Sequence, residues 1–154
     1  MSESTLPVER ANRLADAVED IERNVTQLRS YQDLSLEEYR APEGHERRDA
    51  IERKFVKLTE AMLDIASEIC KQERGTAPAR RKAQIEVLEA EGIIQSNLAK
   101  RLRDAVGFRD VLAHSYGPVI NDDLVFDALG NDLGRYVEFV EAVDTYLRSY
   151  VEVD

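Results

Sequence analysis

Residues 96–117, SNLAKRLRDAVGFRDVLAHSYG, carry Leu98, Leu102, Ala105, Leu112 and Tyr116 at steps of four and three, with one interruption. That spacing is one face of an α-helix, since side chains three and four apart stack on the same side of the backbone cylinder. The interruption is Arg109, which occupies a seam position. Burying an unpaired guanidinium is costly, so Arg109 must either meet a carboxylate or face a cleft that a ligand fills. Glu60 and Glu68 are the carboxylates in reach if the arginine is only a structural ion pair.

Working outward, the same alternation recurs three more times. Leu14, Val18, Ile21, Val25 and Leu28 form one stripe, and Ile51, Phe55, Leu58, Met62, Ile65 and Ile69 a second. Leu133, Tyr136, Val140, Val143, Leu147 and Tyr150 form the last, with Gly130 and Gly134 loosening its first turns. The pattern predicts an all-α protein: an antiparallel bundle of four long helices plus short helices, in a single domain over 1–154. Seams this regular often continue across a dimer interface.

Punctuation between the stripes is consistent with this. Ser35 and Glu38 have capping-box spacing for a short helical turn, which Pro42 and Gly44 interrupt. Gly75 and Pro78 end the second long helix. A short helix then runs to about Glu91 and closes at Gly92, whose missing Cβ suits a left-handed residue. Gly117-Pro118 stops the helix that began near Ser96, and Asn121 is the expected N-cap of the final one, with Asp122 and Asp123 at its positive end.

Hydrophobic residues are 43% of the chain and charged residues 34%, with seven Gly, four Pro and no Trp, a helical composition. The start, MSESTLPVER, lacks a basic segment followed by an apolar run, and no apolar stretch approaches the roughly 20 residues of a membrane span. A cytoplasmic protein without membrane contact is expected. The single cysteine, Cys70, excludes an internal disulfide and lies among Ile65, Ala66 and Ile69, as a buried, inert thiol would.

The net charge of -10 argues against broad, nonspecific nucleic-acid binding, but the charge is uneven. Residues 1–70 sum to -6, residues 71–109 to +4 and residues 110–154 to -8. A basic block therefore precedes the arginine on the seam. Arginine outnumbers lysine 16 to 5, as a salt-rich cytoplasm or a GC-rich genome would produce.

The chemistry concentrates in residues 109–116. Asp110 and His114 are four apart, so the carboxylate is placed to orient the imidazole. His114 also lies in the last turn, where the negative end of the helix dipole favours a cation. At about 100° per residue, Arg109 and Tyr116 share a face, whereas His114 lies about 140° from Arg109. Either the last turn distorts or a second subunit completes the site. Only two histidines exist, and His45 sits in a Pro/Gly loop with no obvious partner, so no metal and no cofactor are expected. Local chemistry alone specifies a site for an anion or for phosphate chemistry.

Arg109, four residues, His114, one residue, Tyr116 reads as R-x4-H-x-Y, and GFRDVLAHSYG resembles the signature of HepT-like proteins of the HEPN superfamily. The likeness extends to RRDAIERKFVKLTEAMLDIASEI at 47–69, EVLEAEGIIQSNLAKRLRDAVGF at 86–108 and NDDLVFDAL at 121–129, covering about residues 10–150. The resemblance implies a homodimeric, metal-independent ribonuclease toxin whose active site forms between two copies of the motif. It further implies an MntA-like nucleotidyltransferase antitoxin that silences the toxin by transferring AMP to the motif tyrosine. Carried over, Arg109 and His114 are catalytic, Asp110 supports them where many relatives carry Asn, and Tyr116 is the modified residue. Arg80, Arg81, Lys82, Lys100, Arg101 and Arg103 either guide RNA to the site or form a solvated helix face. Two other readings stand beside this one. The first is a non-nucleolytic, nucleotide-binding or AMP-accepting partner subunit of a nucleotidyltransferase. The second is a plain helical dimer with Arg109 as an internal ion pair.

Overall fold

The longest apolar stripe builds the longest helix, α3 (His45–Arg74), and the other elements are arranged around it. The computed structural model describes residues 5–114 and 118–151. Its remaining helices are α1 (Val8–Arg29), α2 (Leu36–Arg40), α4 (Arg81–Ala90), α5 (Ser96–His114), α6 (Pro118–Asn131) and α7 (Gly134–Val151), with a 3-10 turn at Pro42–Gly44 before α3. Among the described residues there is no strand.

All the expected positions of the α1 stripe are buried, and those of the α3 stripe are at most 1% exposed. Each fully buried Leu, Ile or Phe contributes roughly 1.5–3 kcal/mol through lost contact with water. α1 packs chiefly on α3, which also meets α4 and α5, while α7 closes over α1 and α5. Direction follows from the polar pairs along the helices. Arg10, early in α1, donates to Glu68 and Gln72, late in α3, so α1 and α3 are antiparallel. Tyr136 meets Thr59 and Tyr146 meets Glu73, so α7 runs the same way as α3 and opposite to α1.

The expected boundaries hold at three places. Ser35 accepts from the Glu38 amide while the Glu38 carboxylate accepts from the Ser35 amide, a complete capping box. Gly75 and Gly92 close α3 and follow α4 with φ of 81° and 78°, the left-handed region that an L side chain enters only with strain. Cys70 is fully buried, and that burial raises its thiol pKa.

Two expectations fail. Asn121 does not cap the final helix: α6 already starts at Pro118, because a proline at the first helical position supplies the right φ and loses no needed donor. Asn121 is instead buried inside α6, and Asp123 and Asp122 pair with Arg40 and Arg48 rather than with a helix N-terminus. The single final helix expected from Asn121 onward is consequently two helices, broken at Asp132–Leu133 between the two glycines that weaken it, and the stripe from Tyr136 to Tyr150 lies in the second, α7. His45 is not in a loop either. It opens α3 and sits 3.5 Å from Asp49, one turn on.

Candidate functional site

α5 holds its seam as the spacing requires. Leu98, Leu102, Ala105 and Leu112 are all buried. Just before the arginine, Phe108 meets Phe55 of α3 edge-on, with ring centroids 5.3 Å apart, fixing α5 against α3. That contact sets the rotation at which Arg109 emerges.

Arg109 turns toward α3, its side chain 18% exposed. Nη2 donates to Glu60 Oε2 at 2.9 Å, and Nη1 approaches Asp110 Oδ1 at 3.5 Å. Of the two carboxylates considered from sequence, Glu60 is therefore the partner; Glu68 accepts from Arg10 and Arg13 instead. The Glu60 hydrogen bond raises the guanidinium pKa further, with burial opposing it, so Arg109 is a permanent cation. The pair is half in water, since Glu60 is 49% exposed. A phosphate with two acceptor oxygens can therefore compete for the guanidinium fork.

His114 is exposed at the end of α5. Its Nδ1 donates to the main-chain carbonyl of Asp110 at 2.6 Å. The expected orienting group was the Asp110 carboxylate. That carboxylate instead faces Arg109 and Arg81, whose Nη1 is 3.9 Å away. The preceding turn's carbonyl is in reach because residues i and i+4 stack along the helix, and no side-chain rotamer of Asp110 has to be fixed. With Nδ1 donating, Nε2 carries the lone pair in the neutral ring, so this ring accepts a proton at Nε2. Tyr116 lies outside the described residues.

The six basic residues separate into two groups. Arg80, Arg81 and Lys82 are exposed at the start of α4 and line, with Asp110 and Val106, a cleft of roughly 580 Å³ beside the arginine. Lys82 also approaches Gly107 of α5. Arg101 is clamped by both carboxylate oxygens of Glu138, at 2.8 and 2.6 Å, tying α5 to α7. Lys100 faces Asp104 and Arg103 faces Glu89, away from Arg109. Sequence blocks of charge do not distinguish these groups, because neutralisation across helices depends on packing.

Among the described residues, no group of three His, Cys, Asp or Glu side chains is placed to hold a metal ion, and no helix is long and apolar enough to cross a membrane.

The chain is similar to known proteins along most of its length. The chain is 29% identical over 131 residues to the tRNA nuclease HepT of Aphanizomenon flos-aquae, covering 84% of this chain and 86% of that one. Among solved structures it matches a mutant toxin–antitoxin MntA–HpeT complex with a TM-score of 0.77 at 21% identity, over 87% of this chain and 98% of that one. It also matches the tri-AMPylated Shewanella oneidensis HEPN toxin in complex with an MNT antitoxin, with a TM-score of 0.76 at 21% identity over 86% and 97%. The family model of the HepT-like ribonucleases matches residues 21–143, and the chain belongs to that family.

Proposed function

We propose that this HepT-like ribonuclease is the toxin of a type VII-like toxin–antitoxin pair, cutting RNA, with tRNA the first substrate to test, by phosphate-transfer chemistry that Arg109 and His114 carry. The observation that carries the reading is a largely buried guanidinium fixed by the half-exposed Glu60, followed within the same helix end by an exposed imidazole whose Nδ1 is held by Asp110. A ribose 2′-hydroxyl attacks the adjacent phosphorus, the P–O bond to the next nucleotide's 5′-oxygen breaks, and the products are a 2′,3′-cyclic phosphate and a 5′-hydroxyl. His114 Nε2 takes the proton from the 2′-hydroxyl or, as imidazolium, gives one to the departing oxygen. Arg109 exchanges Glu60 for the phosphate and stabilises the charge that builds on its oxygens.

α5 is described as regular helix through His114, so Arg109 and His114 diverge by about 140° and cannot grip one phosphate from the same copy. This supports a homodimer in which the arginine of one chain works with the histidine of the other. The cytoplasm is where such a toxin meets RNA. Silencing follows from the motif's third residue: the Tyr116 hydroxyl attacks the α-phosphorus of ATP, pyrophosphate leaves, and the added AMP puts a bulky anion where RNA phosphate must sit. The tri-AMPylated and antitoxin-bound relatives support a MntA-like nucleotidyltransferase as the agent.

Purified chain incubated with tRNA should cleave it. His114→Ala should lower kcat by about 10²–10⁴-fold, the range of general acid–base catalysis, while staying folded, because the side chain is exposed and outside the core. Intact RNA with the wild-type protein, together with equal toxicity of wild type and His114→Ala expressed without antitoxin, would sink the ribonuclease reading. An AMP-sized mass gain abolished by Tyr116→Phe, with no cleavage, would leave the AMP-accepting partner subunit. The ion-pair-only reading draws on the Glu60 contact and expects Arg109→Ala to change stability alone.

A further inference from the structure

A second cationic row lies on α3, on the other side of Glu60 from Arg81. Arg53, Lys54 and Lys57 fall at spacings of one, three and four residues and wall a cleft of roughly 410 Å³ between α1 and α3, which Glu60 also lines. Among the described residues, no carboxylate comes within ion-pair distance of any of the three. Their neighbours differ: Arg47 and Arg48 are spent on main-chain carbonyls of Glu38, Tyr39 and Ala41, holding α2. Like charges one turn apart destabilise a helix, so this row weakens α3 unless something anionic neutralises it.

The carboxylates in the same cleft do not do so. Asp20 is held by Arg23 at 2.8 Å, and Glu60 by Arg109 at 2.9 Å. Asp64 stands beyond Glu60, toward the C-terminal end of α3. Burial, reinforced by Glu60, Glu68 and Asp20, raises its pKa.

Position relates the row to the reaction. Lys57 precedes Glu60 by three residues and Arg53 by seven, about 4.5 and 10 Å along the helix axis. Past Glu60, the next cleft contains Glu60, Asp64 and Arg81, and the one after it Arg81, Arg80, Lys82 and Asp110. Cations thus flank the Arg109–Glu60 pair on both sides, along one continuous surface.

We propose that Arg53, Lys54 and Lys57 bind the phosphodiester backbone of single-stranded RNA on one side of the cleavage position, opposite Arg80, Arg81 and Lys82 on the other. This rests on the ribonuclease reading and adds to it a path for the strand. The contacts go to phosphates, so they set affinity and register rather than base preference.

The test is binding of a labelled oligouridylate to full-length His114→Ala protein, which leaves the RNA intact, across a series of KCl concentrations. Substituting Arg53, Lys54 and Lys57 together by Ala should weaken binding about 10–100-fold at low salt. It should also flatten the slope of log K against log salt by about 2, at about 0.7 per single-strand phosphate contact. Arg53→Lys with Lys57→Arg should keep the slope, and Lys100→Ala, paired with Asp104 on another face, should leave it unchanged. With His114 restored, the triple variant should raise KM for RNA while kcat stays within about twofold. Circular dichroism confirms that the helices persist.

An unchanged slope and KM in the folded triple variant, with wild type cleaving RNA, overturns the row while leaving the ribonuclease intact. This holds even if antitoxin binding weakens, which would assign the row to an acidic protein surface. Wild type that neither binds nor cleaves RNA removes both readings, and that result is visible before any α3 variant is made.

Discussion

Glu60 decides the state in which Arg109 waits. It makes the shorter of the two carboxylate contacts to this cation, Asp110 making the longer, and in doing so competes with any phosphate for the same guanidinium nitrogens. Glu60→Gln keeps the side-chain shape and removes the competing charge. We expect KM for RNA to fall several-fold. The stability cost should stay below about 1 kcal/mol, because the carboxylate is half exposed and such pairs are well screened. Steady-state kinetics and a denaturant melt measure the two; a higher KM would mean that Glu60 assists substrate binding instead. The Arg109 anomaly was legible in the sequence, since a charged residue interrupts a regular seam. The orientation of His114 by a carbonyl rather than by the Asp110 carboxylate was not, because main-chain acceptors carry no sequence signature.

Helix-level contacts hold the site's supporting walls in place. Between α3 and α7, Thr59 Oγ1 and Tyr136 Oη are 2.9 Å apart and both residues are fully buried. Tyr136→Phe strands the threonine hydroxyl and should cost about 1–3 kcal/mol in a urea melt. Adding Thr59→Val should recover part of the loss, since replacing both partners removes the unsatisfied group; no recovery would mean that the ring's packing is what matters. At the α4–α5 junction, Gly92 has φ of 78° with no atom within 4 Å of a built Cβ. Gly92→Ala therefore meets only backbone strain, about 1–2 kcal/mol, with no steric penalty added. A neutral result in a thermal melt would show that the turn relaxes. These boundaries were readable because glycine is the residue such a conformation selects. The start of α6 was misread because Asn121 is a good cap in isolation, yet Pro118 supplies a helix start three residues earlier.

At the scale of the molecule, acid stability combines opposing carboxylates. Burial pushes the Glu68 carboxyl up, but hydrogen bonds from Arg13 and Arg10 outweigh it, and its pKa lies below the ordinary value. Such a group contributes stability above the unfolded glutamate value of ~4.3, and the contribution is lost as pH falls through the lower folded value. Asp64 and Glu52 are raised, chiefly by burial, so the folded chain takes up their protons first and gains stability as pH falls toward the unfolded values. Glu68→Gln should lower the melting temperature at pH 7 and flatten its decline between about pH 5 and pH 3. Asp64→Asn should raise it at pH 7. Melts across pH on both variants check the signs, and a steeper acid decline in Glu68→Gln would contradict them.

Spacing alone determined that this chain is helical, where α1, α3 and α5 lie, and which segment is anomalous, because helical periodicity and glycine stereochemistry are local properties. Tertiary structure decided which cations are already paired. Arg101 is bound to Glu138, 37 positions away on another helix, while Arg53, Lys54 and Lys57 have no ion-pair partner among the described residues, within a stretch whose summed charge is negative. Neutralisation is a property of distance across the packed helices, and linear sequence does not encode that distance locally.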